Sequence, residues 1–486
     1  MRAETEAFFA ACPELGAYDA RLSSTALAPA VRLAVRAHLC EPTTAAAALS
    51  AMAGVSLGDV RAAYQFFQHD PDTHALVGSL FYPHRLRWTF AAAAVKVWAA
   101  DPLGFERLAA GEAVLSKTVE IHPSKGTCDY ACAMCLWSDK QTLTYAERGL
   151  TADGLLSTQD WRRVLGELRQ GGAATLVLSG GGEVLLNREI PEILRCARTL
   201  GFRVHLYTTG FNLQPEDRAL WDEVVLVDQA RFSVHSPDAA TYNAVTGLPA
   251  RLNALGRVVD NIRTLRDLRD QRHMSAQIGI GFVTQPLNHD QLQPMADFAA
   301  DVGVDFLDLR KDEVDVTDQL TSQQLATVRD QLIAIRTKAV RGDYGATRID
   351  LADELVSLAN GQRVARTRTS ECLAKYFRPT ISPFGILAPC DLKAEPRFAA
   401  SSFNLGVVKR SRVPELVASL PGQFVADACA QCMPSSRTGN AVYAKLLADH
   451  AEGIRPTHQP FLVTQEHPDL PAVAAAAGLR DGGAGK

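Results

Sequence analysis

Three cysteines stand within eight residues of the stretch GTCDYACAMCLWSD, in the spacing C-x3-C-x2-C: Cys128, Cys132 and Cys135. Thiolates at such short spacing are typical of a metal centre. A structural zinc site closes with four ligands, and here the nearest further candidate is His122, in a strand-like segment six residues before Cys128. An iron–sulfur cluster held by three cysteines instead keeps one iron open for another ligand. The motif therefore leaves two kinds of metal centre as alternatives.

Four further cysteines lie in the last quarter of the chain and form two patterned pairs. Cys372 and Cys390 bracket Gly385 as C-x12-G-x4-C, and Cys429 and Cys432 form C-x2-C. Four thiolates complete either a zinc ribbon or a fully ligated iron–sulfur cluster. This set, unlike the first, leaves no position open for a substrate.

A glycine-rich turn follows a short apolar strand in LVLSGGGEVLLN. Gly180, Gly181 and Gly182 would let the backbone approach a ligand closely. Glu183 follows directly, and its carboxylate can accept a hydrogen bond from an ammonium group. The turn is therefore a candidate site for a ligand that carries an amine.

The segment ARFSVHS reads as a strand with polar residues at every second position. Alternation places Arg231, Ser233 and His235 on one face of that strand. If Ser233 faces a bound cofactor, His235 points into the same cavity and is a candidate substrate contact. The alternative is a histidine with a structural role only.

A second predicted strand, DFLDLRKD, carries charged residues with the same alternation. Asp308 and Arg310 share one of its faces. The planar guanidinium of Arg310 can bind the carboxylate or another oxyanion of a ligand in a fork. The alternative is a salt bridge at the rim with Asp312 or Glu313.

Alternating strands and helices must position these residues. Predicted strands begin at about residue 115; they are KTVEIHP, AATLVL, FRVHLYTT, ARFSVHS, AQIGIGFVT and DFLDLRK. Predicted helices lie between them, and several of these helices end in glycine. This order demands parallel pairing, so the fold class is α/β, an open sheet or a barrel. Working residues of such folds lie at the carboxyl ends of the strands. Residues 1 to about 110 have apolar residues at helical spacing and predict a helical domain.

The C-x3-C-x2-C motif after the first strand, followed by SGGGE after the second, resembles the radical S-adenosylmethionine (SAM) superfamily. The resemblance implies a partial (β/α)6 barrel and a [4Fe–4S] cluster that binds SAM. It assigns the cluster to Cys128, Cys132 and Cys135. It assigns SAM contacts to Gly180, Gly181, Gly182, Glu183, Ser233 and Arg310. Met134 stands where that family usually has an aromatic residue, and a thioether can also pack on adenine.

The second cysteine set resembles the Twitch module, a short form of the SPASM extension behind some radical SAM barrels. The resemblance implies an auxiliary [4Fe–4S] cluster on Cys372, Cys390, Cys429 and Cys432, suited to electron transfer. The predicted organisation is a helical domain (1–110), the barrel (111–330), connecting helices with the Twitch-type domain (331–440) and a C-terminal tail (441–486).

The order of domains, with stretches such as VHLYTTGFNL and TYNAVTG, resembles radical SAM enzymes of deoxysugar and aminoglycoside antibiotic biosynthesis. It implies hydrogen abstraction from a carbinol carbon of a sugar or aminocyclitol, with His235 and Arg310 as candidate catalytic residues. Dehydrogenation is favoured, which makes the chain an oxidoreductase. The alternatives are epimerisation, with a cysteine thiol as hydrogen donor, and deamination or dehydration. A peptide maturase is an alternative of another class.

Composition limits the partners. The net charge is −4, and no apolar run approaches ~20 residues, so we expect neither a nucleic-acid partner nor a membrane span. The first residues do not form a secretory signal, and ten cysteines indicate metal ligation in a reducing cytoplasm. Cys12, Cys40 and Cys196 are scattered, which is typical of buried thiols. A flavodoxin- or ferredoxin-type protein is the expected electron donor.

Overall fold

A computed structural model describes most of the chain from residue 102 onward. The described residues are 102–312 apart from 125, 133, 136 and 138–153, then 319–352, 355, 358–359, 372–422 and 432–452, together with Ser56 and Asp59. The predicted N-terminal helical domain lies outside them, except for Ser56, Asp59 and the region of helix α1 (Pro102–Ala109). The predicted tail is described only as far as residue 452.

Seven parallel strands form the centre of the fold in the order β7-β6-β5-β4-β3-β2-β1. They are β1 (Thr118–Ile121), β2 (Thr175–Leu178), β3 (Arg203–Thr208), β4 (Gln229–Ser233), β5 (Gln277–Thr284), β6 (Phe306–Lys311) and β7 (Arg348–Leu351). Sequential order with parallel pairing requires a crossover after each strand, as in a partial barrel. The predicted α/β class and the six strands β1–β6 are confirmed.

Helices fill the crossovers and cover the sheet with apolar faces. They are α2 (Thr158–Gln170), α3 (Ile190–Thr199), α4 (Arg218–Val224), α5 (Ala239–Thr246), α6 (Ala254–Gln271), α7 (Leu292–Val302) and α8 (Ser322–Val340). Helix α2 shows why: Trp161, Leu165 and Leu168 lie three or four residues apart and are buried. Ser157 begins this helix by accepting a hydrogen bond from the amide of Asp160, whose side chain reciprocates.

Strand β7 was not expected, because residues 320–365 predict only helical and connecting structure. Its four residues, Arg348–Leu351, alternate between half-buried and buried positions beside β6. Four residues are too few to give a clear alternating pattern in the sequence. The segment is identified as a strand only by its pairing with β6. The parallel sheet therefore continues one strand past the predicted barrel.

The C-terminal segment joins the same sheet at the opposite side. It contains α9 (Ala374–Phe377), β8 (Thr380–Ile381), β9 (Leu387–Ala388), α10 (Val413–Ser419) and α11 (Pro434–Ala451). Strand β8 pairs parallel with β1 and antiparallel with β9. Gly385, in the turn between them, has a φ of +76° that favours glycine. The segment is thereby held beside the first barrel strand.

No helix in the described ranges is long and apolar enough to cross a membrane.

Candidate active site

A cavity of about 260 Å³ lies at the carboxyl ends of the barrel strands. Its lining includes every predicted site residue of the barrel: Cys128, Cys132, Met134, Cys135, Gly180, Gly181, Gly182, Glu183, Ser233, His235 and Arg310. These residues come from the loops after β1 and β2 and from the ends of β4 and β6, as parallel topology requires. Their proposed roles remain predictions, but their location in one cavity is a property of the fold.

The glycine turn packs directly on the backbone of the cysteine loop. The amide of Glu183 donates to the carbonyl of Thr127 at 2.8 Å, one residue before Cys128. A Cβ atom at Gly182, whose φ is +130°, would overlap the Thr127 backbone and lie 2.8 Å from its amide nitrogen. At Gly181 a Cβ would lie 2.7 Å from Ser124 Oγ. The sequence GGG is therefore required by close backbone approach and by φ values reserved for glycine.

Helix α5 contacts the cysteine loop from the other side, and Asn212 in the loop after β3 donates to Asp129 at 2.7 Å. The hydroxyl groups of Tyr130 and Tyr242 hydrogen-bond at 2.7 Å, and burial raises the pKa of both phenols. The amide of Ala131 donates to the carbonyl of Thr246 at 2.7 Å. Sequence reasoning did not single out these residues as supports. Tyr242 lies in the quoted stretch TYNAVTG, but only the fold brings it to residue 130.

Glu183 is buried at the base of the cavity with three hydrogen-bond donors from the chain. Its carboxylate accepts from the Thr208 hydroxyl, from the Thr209 amide at 2.7 Å and from the Leu185 amide at 3.0 Å. Burial raises the pKa of this carboxyl, and these hydrogen bonds oppose the shift. A cationic ligand group in the cavity would offset the remaining cost of burying the Glu183 carboxylate. The surroundings of Glu183 therefore suit the ammonium group of an amino-acid ligand.

His235 lies at the end of β4 and is nearly fully buried in the cavity wall. Its Nδ1 accepts a hydrogen bond from the Val283 amide at 3.3 Å, so the ring proton is on Nε2. Burial, and then the positive charges of Arg310 and Arg231, lower the pKa of His235 to about 3. At neutral pH the ring is therefore an uncharged hydrogen-bond donor.

Arg310 and Arg231 share one carboxylate. Arg231 Nη1 donates to Asp308 Oδ2 at 2.8 Å, whereas Arg310 Nε lies 3.8 Å from the same oxygen. Of the two predicted rim partners, Asp312 lies 3.6 Å from Lys311 Nζ and Glu313 is outside the described residues. The acid beside Arg310 is thus its strand neighbour Asp308.

The C-terminal segment supplies part of the same cavity wall. Arg378 lies between two carboxylates, with Nη2 at 3.1 Å from Asp391 and Nε at 3.6 Å from Glu120 on β1. All three side chains line the cavity. Burial disfavours ionisation of Glu120, but the hydrogen bond from His122 and the charge of Arg378 lower its pKa to about 2. Sequence reasoning missed these residues, although Asp391 directly follows Cys390.

Three of the four C-terminal cysteines are within the described residues. Cys390 is buried in a cluster with Met433, and Cys372 packs against that cluster. Cys432 immediately precedes Met433, and Cys429 lies outside the described residues. Burial raises the pKa of the Cys390 thiol. Cys372, Cys390 and the chain neighbour of Cys432 therefore lie in one cluster, and ligation of a shared metal centre by these cysteines stays a prediction.

Neither cysteine set contains a disulfide among the residues that are described. Within that same part of the chain, no three His, Cys, Asp or Glu side chains are grouped to hold a single metal ion. Ligation by either cysteine set remains a prediction.

The chain is similar to known proteins in part of its sequence. Residues 124–299 match the family model described as the Radical SAM superfamily. A dTDP-4-amino-4,6-dideoxy-D-glucose ammonia-lyase of Streptomyces venezuelae is 25% identical over 287 residues, which cover 57% of this chain and 56% of that enzyme. The chain thus spans little more than half the length of this relative.

Solved structures with related folds have low sequence identity. SuiB of Streptococcus suis bound to S-adenosylmethionine is 14% identical with a TM-score of 0.48, covering 74% of this chain and 78% of that one. BtrN in complex with AdoMet and 2-DOIA is 10% identical with a TM-score of 0.31, covering 70% and 89%. Both TM-scores are below 0.5, so neither likeness bears on function.

Proposed function

Because residues 124–299 match the family model of the Radical SAM superfamily, we propose that the protein removes a hydrogen atom from a carbinol carbon of a sugar or aminocyclitol. One observation carries the proposal: the barrel and the C-terminal segment line the same cavity. Cys128, Cys132 and Cys135 contribute from the barrel, and Asp391, which adjoins Cys390, contributes from the C-terminal segment. A substrate that contacts Asp391 in this cavity would therefore share the cavity with the first cysteine set and lie beside the neighbour of Cys390.

The first cysteine set would hold the [4Fe–4S] cluster, and the loops beside it would hold SAM. When bound, the cluster and SAM would together supply a 5′-deoxyadenosyl radical for abstraction of the hydrogen atom. The backbone of Gly180–Gly182 would approach the methionine part, and the buried Glu183 carboxylate would accept from its ammonium group. Ser233 would contact the ribose, and Met134 would pack on the adenine.

The remaining cavity residues would orient the substrate. Neutral His235 can donate from Nε2 to a substrate oxygen without adding charge to the cavity. Glu120 is ionised at neutral pH, because its pKa is lowered to about 2, and can accept from substrate hydroxyl or amine groups. Since Asp391 adjoins Cys390, a substrate near it would be close to the second cysteine set.

The second set, Cys372, Cys390, Cys429 and Cys432, would hold an auxiliary [4Fe–4S] cluster that accepts an electron. A carbinol that has lost a hydrogen atom becomes a ketone by losing one more electron and its hydroxyl proton. The reaction therefore needs an electron acceptor beside the substrate. A cluster ligated by four thiolates would be suited to electron transfer, because all its irons already have a ligand. A flavodoxin- or ferredoxin-type donor would supply the electron that starts each turnover.

Iron and sulfide per chain, measured after anaerobic reconstitution, test the two-cluster proposal. We expect about eight irons in the wild type, as two cubane clusters require, and about four in a Cys128/Cys132/Cys135→Ala variant. Cys390→Ser should likewise retain about four irons and should still cleave SAM, because the first cluster is intact. A wild type with about four irons, and zinc at the C-terminal cysteines, would remove the electron acceptor.

A second candidate is a radical lyase, which the ammonia-lyase of Streptomyces venezuelae favours. Such a reaction eliminates ammonia and needs no auxiliary acceptor. Incubation with dTDP-4-amino-4,6-dideoxy-D-glucose, SAM and reductant distinguishes the two reactions. Ammonia release at the rate of SAM cleavage supports the lyase, whereas a ketone with retained nitrogen supports dehydrogenation.

The epimerase alternative requires a thiol hydrogen donor beside the substrate. Among the described residues, the thiols that line the cavity are the three of the cluster motif, and Cys196 lies on helix α3 away from the cavity lining. Cys12 and Cys40 are outside the described residues. The peptide-maturase alternative depends on the N-terminal domain, which also lies outside them.

A further inference from the structure

We propose that Lys393 supplies a buried positive charge beside the second cysteine set and thereby raises the reduction potential of a cluster held there. The inference rests on the proposed function, which assigns an electron-accepting [4Fe–4S] cluster to those cysteines. It gives a role to a side chain that belongs to neither cysteine motif. In this role the lysine would help the cluster to accept the electron that the substrate radical releases.

The side chain of Lys393 is buried, and its ammonium group lies against two phenylalanine rings. Nζ is 4.0 Å from the ring centroid of Phe398 and 4.5 Å from that of Phe403. Both separations are within the range of a cation–π contact. Buried charges in proteins are usually paired with an opposite charge. In the part of the chain that the structure describes, Lys393 forms no ion pair.

Two arginines in the same segment do have acidic partners. Arg397 lies 2.8 Å from Glu395, and Arg378 lies 3.1 Å from Asp391. Lys393 differs from both, because its contacts among the described residues are with aromatic rings. An anionic group that the bare chain lacks would therefore complete the surroundings of this lysine.

The backbone ties Lys393 to the second cysteine set. Its amide donates to the carbonyl of Cys390, three residues earlier, at 3.1 Å. Burial raises the pKa of the Cys390 thiol, and a hydrogen bond from the Lys393 amide opposes that shift. Cys390 packs with Leu392 and Met433, and Cys372 packs against this apolar cluster. The lysine thus lies within one turn of the chain from a buried thiol in apolar surroundings.

Electrostatics give the direction of the expected effect. Four thiolates leave a [4Fe–4S] cluster with a net negative charge, and an accepted electron adds one more. Apolar surroundings disfavour that extra charge, and a positive charge nearby offsets the cost. Unit charges about 10 Å apart, at an effective dielectric constant of about 20, change such an equilibrium roughly tenfold. Lys393 should therefore favour the reduced cluster about tenfold, which is about 59 mV for one electron.

A second buried lysine makes a less direct test. Lys375 follows Cys372 by three residues, and its Nζ donates to the carbonyl of Leu420 at 2.8 Å. Its replacement would leave that carbonyl without this donor, so a change in stability would accompany any change in charge. Replacement of Lys393 removes a charge and two ring contacts, and an unbranched apolar side chain can retain the ring contacts.

The test is a redox titration of the reconstituted full chain, followed by electron paramagnetic resonance of the reduced cluster. The background is Cys128/Cys132/Cys135→Ala, in which the second cluster alone would remain. We expect Lys393→Met to lower the midpoint potential by about 59 mV, the equivalent of a tenfold change. Lys393→Arg keeps the charge and should leave the potential close to that of the parent.

Matched controls separate charge from packing. Lys409 is exposed and donates from Nζ to the carbonyl of Leu155 at 2.7 Å, and Lys409→Met should leave the potential unchanged. In a Cys390→Ser background, where the first cluster would remain, Lys393→Met should not shift the potential either. Equal potentials in the parent and in Lys393→Met would overturn the inference, even if the variant is less stable in urea. An equal shift in Lys409→Met would overturn it as well.

A second neutral variant covers the case in which Lys393→Met binds no iron. Lys393→Gln should then show the lowered potential. Loss of iron in both neutral variants, with full loading of Lys393→Arg, would also support the role of the charge. Loss of iron in all three variants would assign Lys393 to packing alone and reject the inference.

Failure of the proposed function has a different signature. A wild type with no second iron–sulfur signal, or with zinc at the C-terminal cysteines, would reject the electron acceptor and this inference with it. Two clusters whose potentials do not respond to Lys393 would leave the proposed function in place and reject the inference alone.

Discussion

Replacement of Gly182 by alanine tests whether the glycine turn and the cysteine loop are packed backbone to backbone. The φ of Gly182 is +130°, and an added Cβ would overlap the carbonyl and amide of Thr127. Backbone atoms cannot rotate away as a side chain can, so the overlap must move one of the two loops. Because Thr127 precedes Cys128, the displacement would act on the first of the three predicted cluster ligands.

Two contributions set the expected loss of folding stability in Gly182→Ala. A left-handed φ costs a residue with a Cβ about 1–2 kcal/mol. Overpacking against rigid neighbours adds about 1–3 kcal/mol. Gly111 offers a matched control, because its φ is +79° and nothing lies within 4 Å of an added Cβ. Gly111→Ala should therefore cost only the first contribution, and Gly182→Ala about 2–5 kcal/mol in all.

The assay combines urea denaturation of both variants with iron content and SAM binding after reconstitution. Gly182→Ala should be less stable than Gly111→Ala by about 1–3 kcal/mol, and only Gly182→Ala should lose iron and SAM affinity. Gly181→Ala should fall between them, since its Cβ would meet the Ser124 hydroxyl at 2.7 Å, which can rotate. Equal stability and full iron loading in both Gly182→Ala and Gly111→Ala would refute the packing argument.

Three further predictions concern the supports of the cavity. Tyr130→Phe removes the buried partner of the Tyr242 hydroxyl and should lower the free energy of unfolding by about 1–3 kcal/mol. The double variant Tyr130→Phe/Tyr242→Phe should regain part of this loss, because neither hydroxyl is then left unpaired. A double variant less stable than either single variant would contradict this. Because burial lowers the pKa of His235 to about 3, the unfolded chain takes up a proton near pH 6.5 that the folded chain does not. His235 stabilises the fold fully above that pH, and this contribution falls by about 1.4 kcal/mol per unit as the pH drops toward 3. Urea denaturation between about pH 7 and 5 should show a flatter pH dependence for His235→Asn, and parallel curves would exclude the histidine as the cause. Glu167→Ala removes the carboxylate that accepts from the Val413 amide at 2.7 Å, so hydrogen exchange at that amide should accelerate about tenfold, and unchanged exchange would show that the carboxylate does not hold helix α10.

Much of the fold was predictable because the information is local. Alternation and apolar runs indicated β1–β6, and helical spacing with glycine at the ends indicated the helices between them. Strand β7 was missed, since Arg348–Leu351 is too short for a periodic signal and is recognised only beside β6. The β8–β9 hairpin was also missed, because two-residue strands carry no pattern apart from the strand they pair with.

The sequence by itself determined that the cysteine loop, the glycine turn and the ends of β4 and β6 contribute polar and metal-ligating residues to one cavity. The C-x3-C-x2-C spacing, the glycine turn and the strand alternation of Ser233, His235 and Arg310 each depend on neighbours in the chain. Parallel topology then requires their strand ends to share one edge, so their convergence follows from the fold class.

Only the tertiary structure decided which charges and hydroxyl groups pair across the cavity. Arg378 and Asp391 lie more than 250 residues after Glu120 in the chain, and Tyr130 meets Tyr242 across 112 residues. A periodic pattern reports which face of an element is buried, but not which distant element covers it. Pairing depends on distances of a few ångströms between side chains, and those distances are set when the elements pack.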